Sequence, residues 1–252
     1  LTEGTESQRN SLLGEALMLR AVGHFDAVRV YAQAYGFSPN AQHPGVVIAD
    51  RPLSVFEFPE RAPVAEVYDL IISDLQQAAA LIGPAAQRTT QPIWLSAPAA
   101  RALLARVYAY TGNWEGVVEE ASAVINNGRF TLTPRDEYLE GWQSGLLTEV
   151  IFEIDLQRFV RPEGSGVITS VSQVVGAGNA EPLCSVTGDL TGLFGADDLR
   201  AELFVPNGEG DVLSRKFPFE ENTVRNFPLL RLSEMFLLRA EAYAELGREA
   251  DA

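Results

Sequence analysis

Between Leu103 and Val124 the chain sets Ala105 and Tyr108 three positions apart, then Gly112, Trp114, Val117, Ala121 and Val124. This spacing leaves little conformational freedom. Ala105 and Tyr108 fall on one helical face, the small residue where a neighbouring helix comes close and the aromatic filling the space beside it. Gly112 ends that helix, because glycine takes the left-handed cap conformation without a side-chain penalty. Trp114 opens a second helix, on which Val117, Ala121 and Val124 form an apolar stripe. The result is two antiparallel helices with Trp114 expected to pack between them.

The offsets are those of a tetratricopeptide helix-turn-helix. They recur at Ala240, Tyr243 and Gly247, and a third helix, from Glu15 to Phe25, shares the Leu-Arg-Ala core at Leu19 to Ala21. A mainly α, tetratricopeptide-like helical-repeat scaffold is therefore expected, with long irregular loops and a few short strands.

Along the chain, residues 7 to 33 read as one helix, capped by Thr5 or Ser7, with Leu12, Leu13, Ala16, Leu19, Val22 and Phe25 inward. The breakers from Tyr35 to Gly45 end it. Val64 to Ala80 is a second amphipathic helix, closed by Gly83-Pro84, and Pro98 suits the first turn of the next one. Glu149 to Asp155 alternates Val150, Phe152 and Ile154 against Glu149, Glu153 and Asp155, a half-buried strand. Residues 157 to 195 carry no apolar stripe, and so long an irregular stretch in a compact protein is usually functional or mobile. Asp197 to Arg200 begins a short ordered region, and Pro228 to Gly247 returns to helix.

The formal charge is −15, from 34 acids against 19 bases. Such a chain lacks the basic stripe that phosphate binding needs, so no nucleic-acid partner is expected. Lys216 is the sole lysine and Cys184 the sole cysteine, which rules out an internal disulfide. His24 and His43 stand without a metal-ligand motif, so neither a metal nor another cofactor is expected. No run of about 18 apolar residues is present to span a bilayer. Residues 1 to 9 lack the regions of a secretion signal, and the chain stops where a partner helix should begin. It reads as part of a larger protein.

Five blocks in order resemble the SusD/RagB family of outer-membrane nutrient-binding lipoproteins. They are Gly14 to Phe25 followed by Tyr35-Gly36, Val67 to Leu75, Ala99 to Asn113, Glu149 to Ile154, and Arg231 to Glu241. The resemblance covers nearly the whole chain and implies one SusD-like domain over residues 1–252. In that reading the helical scaffold occupies 7–130 and 228–248, and a loop-rich ligand side occupies 131–227. It also implies a cell-surface glycan or nutrient binder that sits on a SusC-like TonB-dependent outer-membrane transporter, anchored by a lipidated N-terminal cysteine. That cysteine and the segment around it are missing here, as is the family's C-terminal segment, and Cys184 is internal.

Sugar binders stack rings on aromatic faces and frame them with Asn, Gln, Asp and Arg, because a sugar offers apolar C–H faces ringed by hydroxyls. Trp142, among the turn-formers from Leu139 to Gly145, presents either such a face or a buried anchor for its loop. Trp94 reads as a staple at a helix start. The resemblance puts ligand loops after the Glu149 to Ile154 strand, which adds Gln157, Arg158, Phe159 and Asn179. Aromatics in these irregular segments are expected to be removable without unfolding the scaffold.

The expected function is non-catalytic capture of an oligosaccharide or related nutrient and its delivery to the transporter. One rival is an intracellular tetratricopeptide scaffold for protein partners. Another is a glycoside hydrolase that uses Glu153 and Asp155, which share a strand face, although same-face acids on a solvent-facing edge account for them more simply.

Overall fold

The computed structural model describes residues 3–83, 91–156, 176–177, 183–217 and 226–251. Its elements run α1 (Glu6–Tyr31), α2 (Val64–Leu81), α3 (Ala97–Thr111), α4 (Trp114–Ile125), α5 (Tyr138–Ser144), β1 (Val150–Ile154), α6 (Gly188–Thr191), β2 (Phe204–Pro206), β3 (Val212–Ser214), β4 (Phe227–Arg231) and α7 (Leu232–Glu245). They form two compact units, Leu1–Arg129 with Leu230–Ala252, and Phe130–Leu229.

The first unit is a helical stack in which α1 packs on α2, α2 on α3, α3 on α4 and α4 on α7. Thr5 starts α1 with a capping box, its hydroxyl taking the Gln8 backbone N–H while the Gln8 side chain returns to the Thr5 N–H. The buried face of α1 is Ser11, Gly14, Met18, Ala21, His24, Phe25 and Val28. This differs from the expected stripe: Leu12, Leu13 and Leu19 are exposed, Leu19 by 57%. The reason is steric. A Cβ on Gly14 would lie 2.6 Å from Ile82 Cγ1 and 3.2 Å from the Ile82 nitrogen, so α2 approaches α1 where there is no side chain.

Two buried polar side chains of this unit, Asp74 and His24, are paired. Asp74 is 1% exposed and accepts from Arg20 Nε and Nη2, each at 2.7 Å, across the α1–α2 contact. Ala49 N–H donates to His24 Nε2 at 3.0 Å, which leaves Nδ1–H to donate to the Arg20 carbonyl at 2.9 Å. His24 therefore serves as a structural connector.

The α3–α4 turn forms as its residues dictate. Ser96 caps α3, Gly112 ends it at φ 73°, and Asn113 caps α4 by accepting the Gly116 N–H. Ala105, Tyr108, Val117, Ala121 and Val124 are buried. Trp114 is only half-buried, contrary to expectation. Tyr108 takes the space instead, lying so close to α4 that a Cβ on Gly116 would fall 2.6 Å from its ring. In the second copy Gly247 again has positive φ. There Leu232, Met235 and Ala242 are buried while Ala240 and Tyr243 are half-buried.

In the second unit β2 and β3 pair antiparallel, Val205 opposite Leu213, around a turn in which Asn207 Oδ1 accepts from Glu209 and Asp211. β1 pairs with β4. Pro228 to Arg231 is thus strand, and the helix begins at Leu232. A proline is admissible there because a two-stranded sheet has only edges. The core of this unit is Trp142, Leu147, Val150 and Leu203, with Tyr138, Leu139 and Phe217 packed on it. Among the described residues no helix is long and apolar enough to cross a membrane.

Candidate functional site

In the second unit α5 ends at Gly145, which takes the left-handed cap conformation at φ 75°. The short helix places Trp142 over the start of β1, and there the indole borders a cavity of about 200 Å³. Glu153, Lys216, Phe217, Asn226 and Pro228 are also in the wall. Trp142 is 5% exposed, so it is at once a core residue and a cavity wall. Its ring meets Tyr138 and Phe217 edge-on at 6.4 Å and 5.9 Å between centroids, and Phe217 stacks on Phe227. The Lys216 ammonium lies 4.8 Å from the indole centroid, a cation–π contact.

The polar side of the cavity is built on Asn226. Its Nδ2 donates to Glu153 Oε1 at 2.8 Å, and its Oδ1 accepts the Leu156 N–H at 3.2 Å. Burial holds the Glu153 carboxyl above the usual glutamate range, against the lowering effect of the Asn226 amide. The cavity wall thus combines two aromatic side chains, Trp142 and Phe217, with an ammonium, an amide and a carboxyl. Groups of these kinds are those that can pack on the C–H face of a sugar and hydrogen-bond its hydroxyls.

Of the residues singled out in the sequence, the structure places Trp142 at this cavity. Gln157, Arg158, Phe159 and Asn179 lie outside the described residues. The expectation that Trp142 is dispensable to packing is corrected, because its indole is part of the core of its unit. Glu153 was read as solvent-facing. It is half-buried and lines the cavity, whereas Asp155 is not among the lining residues. Alternation in β1 gives way to burial of Val150, Ile151 and Phe152 together, with Ile154 exposed. Lys216, Phe217 and Asn226 were missed. The one available signal was a sole lysine beside a phenylalanine in a chain whose other bases are arginines. Among the described residues no group of three His, Cys, Asp or Glu could hold a metal ion.

The family SusD-like_3, described as "Starch-binding associating with outer membrane", matches residues 1–109. The SusD-like protein P2 of Formosa agariphila is 28% identical over 182 residues, which is 70% of this chain and 34% of that protein. The chain thus spans about a third of the length of this curated relative. A SusD superfamily protein from Bacteroides vulgatus superposes with a TM-score of 0.81 at 26% identity, over 99% of this chain and 58% of that one. A laminarin binding SusD-like protein superposes with a TM-score of 0.68 at 21% identity, over 95% of this chain and 61% of that one.

Proposed function

Because the chain belongs to the SusD-like family, we propose that it forms part of a cell-surface protein that binds an oligosaccharide without cleaving it. The bound glycan is passed to a SusC-like TonB-dependent transporter in the outer membrane, with a lipid anchor outside this chain holding the protein there. The observation that carries this reading is the cavity lined by the aromatic side chains of Trp142 and Phe217 together with Lys216, Asn226 and Glu153. The family's description as starch-binding and the laminarin-binding relative point the same way.

A screen of the chain against immobilised glycans, laminarin among them, tests the reading. The best binder is then titrated calorimetrically into the wild type and into Lys216→Gln and Asn226→Ala. Saturable binding that weakens about tenfold in either variant is expected, the scale of one charged hydrogen bond. A chain that retains no glycan, or one whose glycan is hydrolysed to new reducing ends, overturns it. Co-purification of a TonB-dependent transporter with the membrane-anchored protein tests the delivery step.

A further inference from the structure

We propose that a second cleft in the Phe130–Leu229 unit, one ring removed from the Trp142 cavity, is a saccharide subsite selective for an uncharged, hydroxyl-rich sugar; this rests on the glycan-binding reading above. The cleft has a volume of about 710 Å³ and is lined by Arg135, Tyr138 and the run Gly195 to Arg200. Ligand pockets commonly hold roughly 300 to 1,000 Å³, so the space suits a short oligosaccharide rather than a single ion. Tyr138 lines it, and the same ring meets Trp142 edge-on. The aromatic supports of the two cavities therefore touch.

The cleft is held in shape by its own charged residues. Arg135 Nη2 donates to the Asp197 carbonyl at 2.8 Å, fixing the loop beside the start of α5. Asp198 caps the helical turn Leu199–Leu203 by accepting the Arg200 N–H, and its carboxylate also takes Arg200 Nε and Nη2, the latter at 2.6 Å. The guanidinium lies over the Phe194 ring, 5.5 Å from its centroid. Arg200 is thus held in one plane, and among the described residues Nη1 has no partner.

Charge balance sets the ligand class. The lining carries two arginines, Arg135 and Arg200, and two aspartates, Asp197 and Asp198, so neither an anionic sugar nor a cation gains a net charge attraction there. A neutral vicinal diol suits both signs: one hydroxyl donates to the Asp198 carboxylate while its neighbour accepts from Arg200 Nη1. The Arg200 guanidinium holds the Asp198 carboxyl down to about 2, so the fork stays ionised from neutral to mildly acidic pH.

The test is calorimetry on the full chain with laminarin oligosaccharides, which are neutral, and with oligogalacturonates, which are acidic. Wild type is compared with Arg200→Ala, Arg200→Lys and, in the first cavity, Asn226→Ala. The Arg200 side chain is well exposed, so both of its variants should fold, and their melting temperatures check this. About a tenfold loss of neutral-glycan affinity in both Arg200 variants is expected, since lysine keeps the charge but not the planar fork. Unchanged affinity in both, with loss in Asn226→Ala, overturns the subsite and leaves the first cavity standing. Preference for the acidic oligosaccharide overturns the assigned selectivity. A wild-type chain that binds neither class overturns the glycan reading, and the subsite with it.

Discussion

Arg106 on α3 and Glu234 on α7, 128 positions apart in sequence, meet in a two-pronged ion pair, Nε to Oε1 at 2.5 Å and Nη2 to Oε2 at 2.6 Å. Their side chains are only 16% and 28% exposed. The small values typical of solvent-exposed pairs, roughly 0 to 1 kcal/mol, therefore underestimate it. Glu234→Ala should lower the unfolding free energy by about 1.5 to 3 kcal/mol, the range of hydrogen bonds to charged groups. Glu234→Gln, which keeps one prong, should cost less. Urea denaturation of both variants is the check, and an alanine variant as stable as wild type would show that α7 docks through its apolar side alone.

Gly14→Ala places two effects in opposition. In an open helix the change gains about 1 kcal/mol from propensity. Here the new methyl would meet Ile82 Cγ1 at 2.6 Å and Leu81 Cβ at 3.1 Å, and overpacking of this kind costs roughly 1 to 3 kcal/mol. The clash should win, giving a lower melting temperature, and Ile82→Ala should rescue part of it. A stabilised Gly14→Ala protein would mean that α2 can retreat freely.

The tryptophans should behave differently from each other. Trp142→Ala removes a core ring from its unit and should cost about 3 to 5 kcal/mol. Trp114→Ala removes a half-buried ring and should cost roughly 1 to 2 kcal/mol. Chemical denaturation ranks them, and the reverse order would place Trp114 between the helices after all. Glycan binding by Trp142→Ala is informative only under conditions where the variant is shown to be folded.

Glu153 gives a pH dependence with a definite sign. Burial raises its folded-state value, so the folded state takes up a proton more readily than the unfolded one. Stability from this group rises as pH falls from neutral through its folded range, and levels off below the ordinary glutamate range. Glu153→Gln retains an acceptor for Asn226 and should be more stable than wild type near neutral pH. The advantage should shrink on acidification. Melting temperatures of the two proteins across that window provide the difference, and a constant gap would remove Glu153 burial as its cause.

Helix ends were legible where single residues write them: Thr5 and Gly112 each act where they stand. The inward face of α1 was not. Apolar residues lie nearly all around its middle, from Leu12 to Val22, so periodicity cannot choose a phase, and Gly14 decides it by admitting Ile82. The cavity was legible only at Trp142. Asn226 reaches Glu153 across 73 positions, and no local pattern announces a partner at that separation. Burial of Glu153 was hidden for the same reason, since alternation within a strand cannot see the amide that satisfies its carboxyl.

The helical unit is closed by α4 packing on α7, although residues 130–229 lie between its two parts. The entropy of bringing such ends together grows only logarithmically with the intervening length, about 0.6 kcal/mol for each doubling. Insertions, deletions or wholesale exchange between Arg129 and Leu230 therefore burden the helices little. Sequence change can accumulate in that stretch over evolutionary time while the scaffold stays nearly constant, and a chimera carrying a relative's intervening stretch should retain the helical framework.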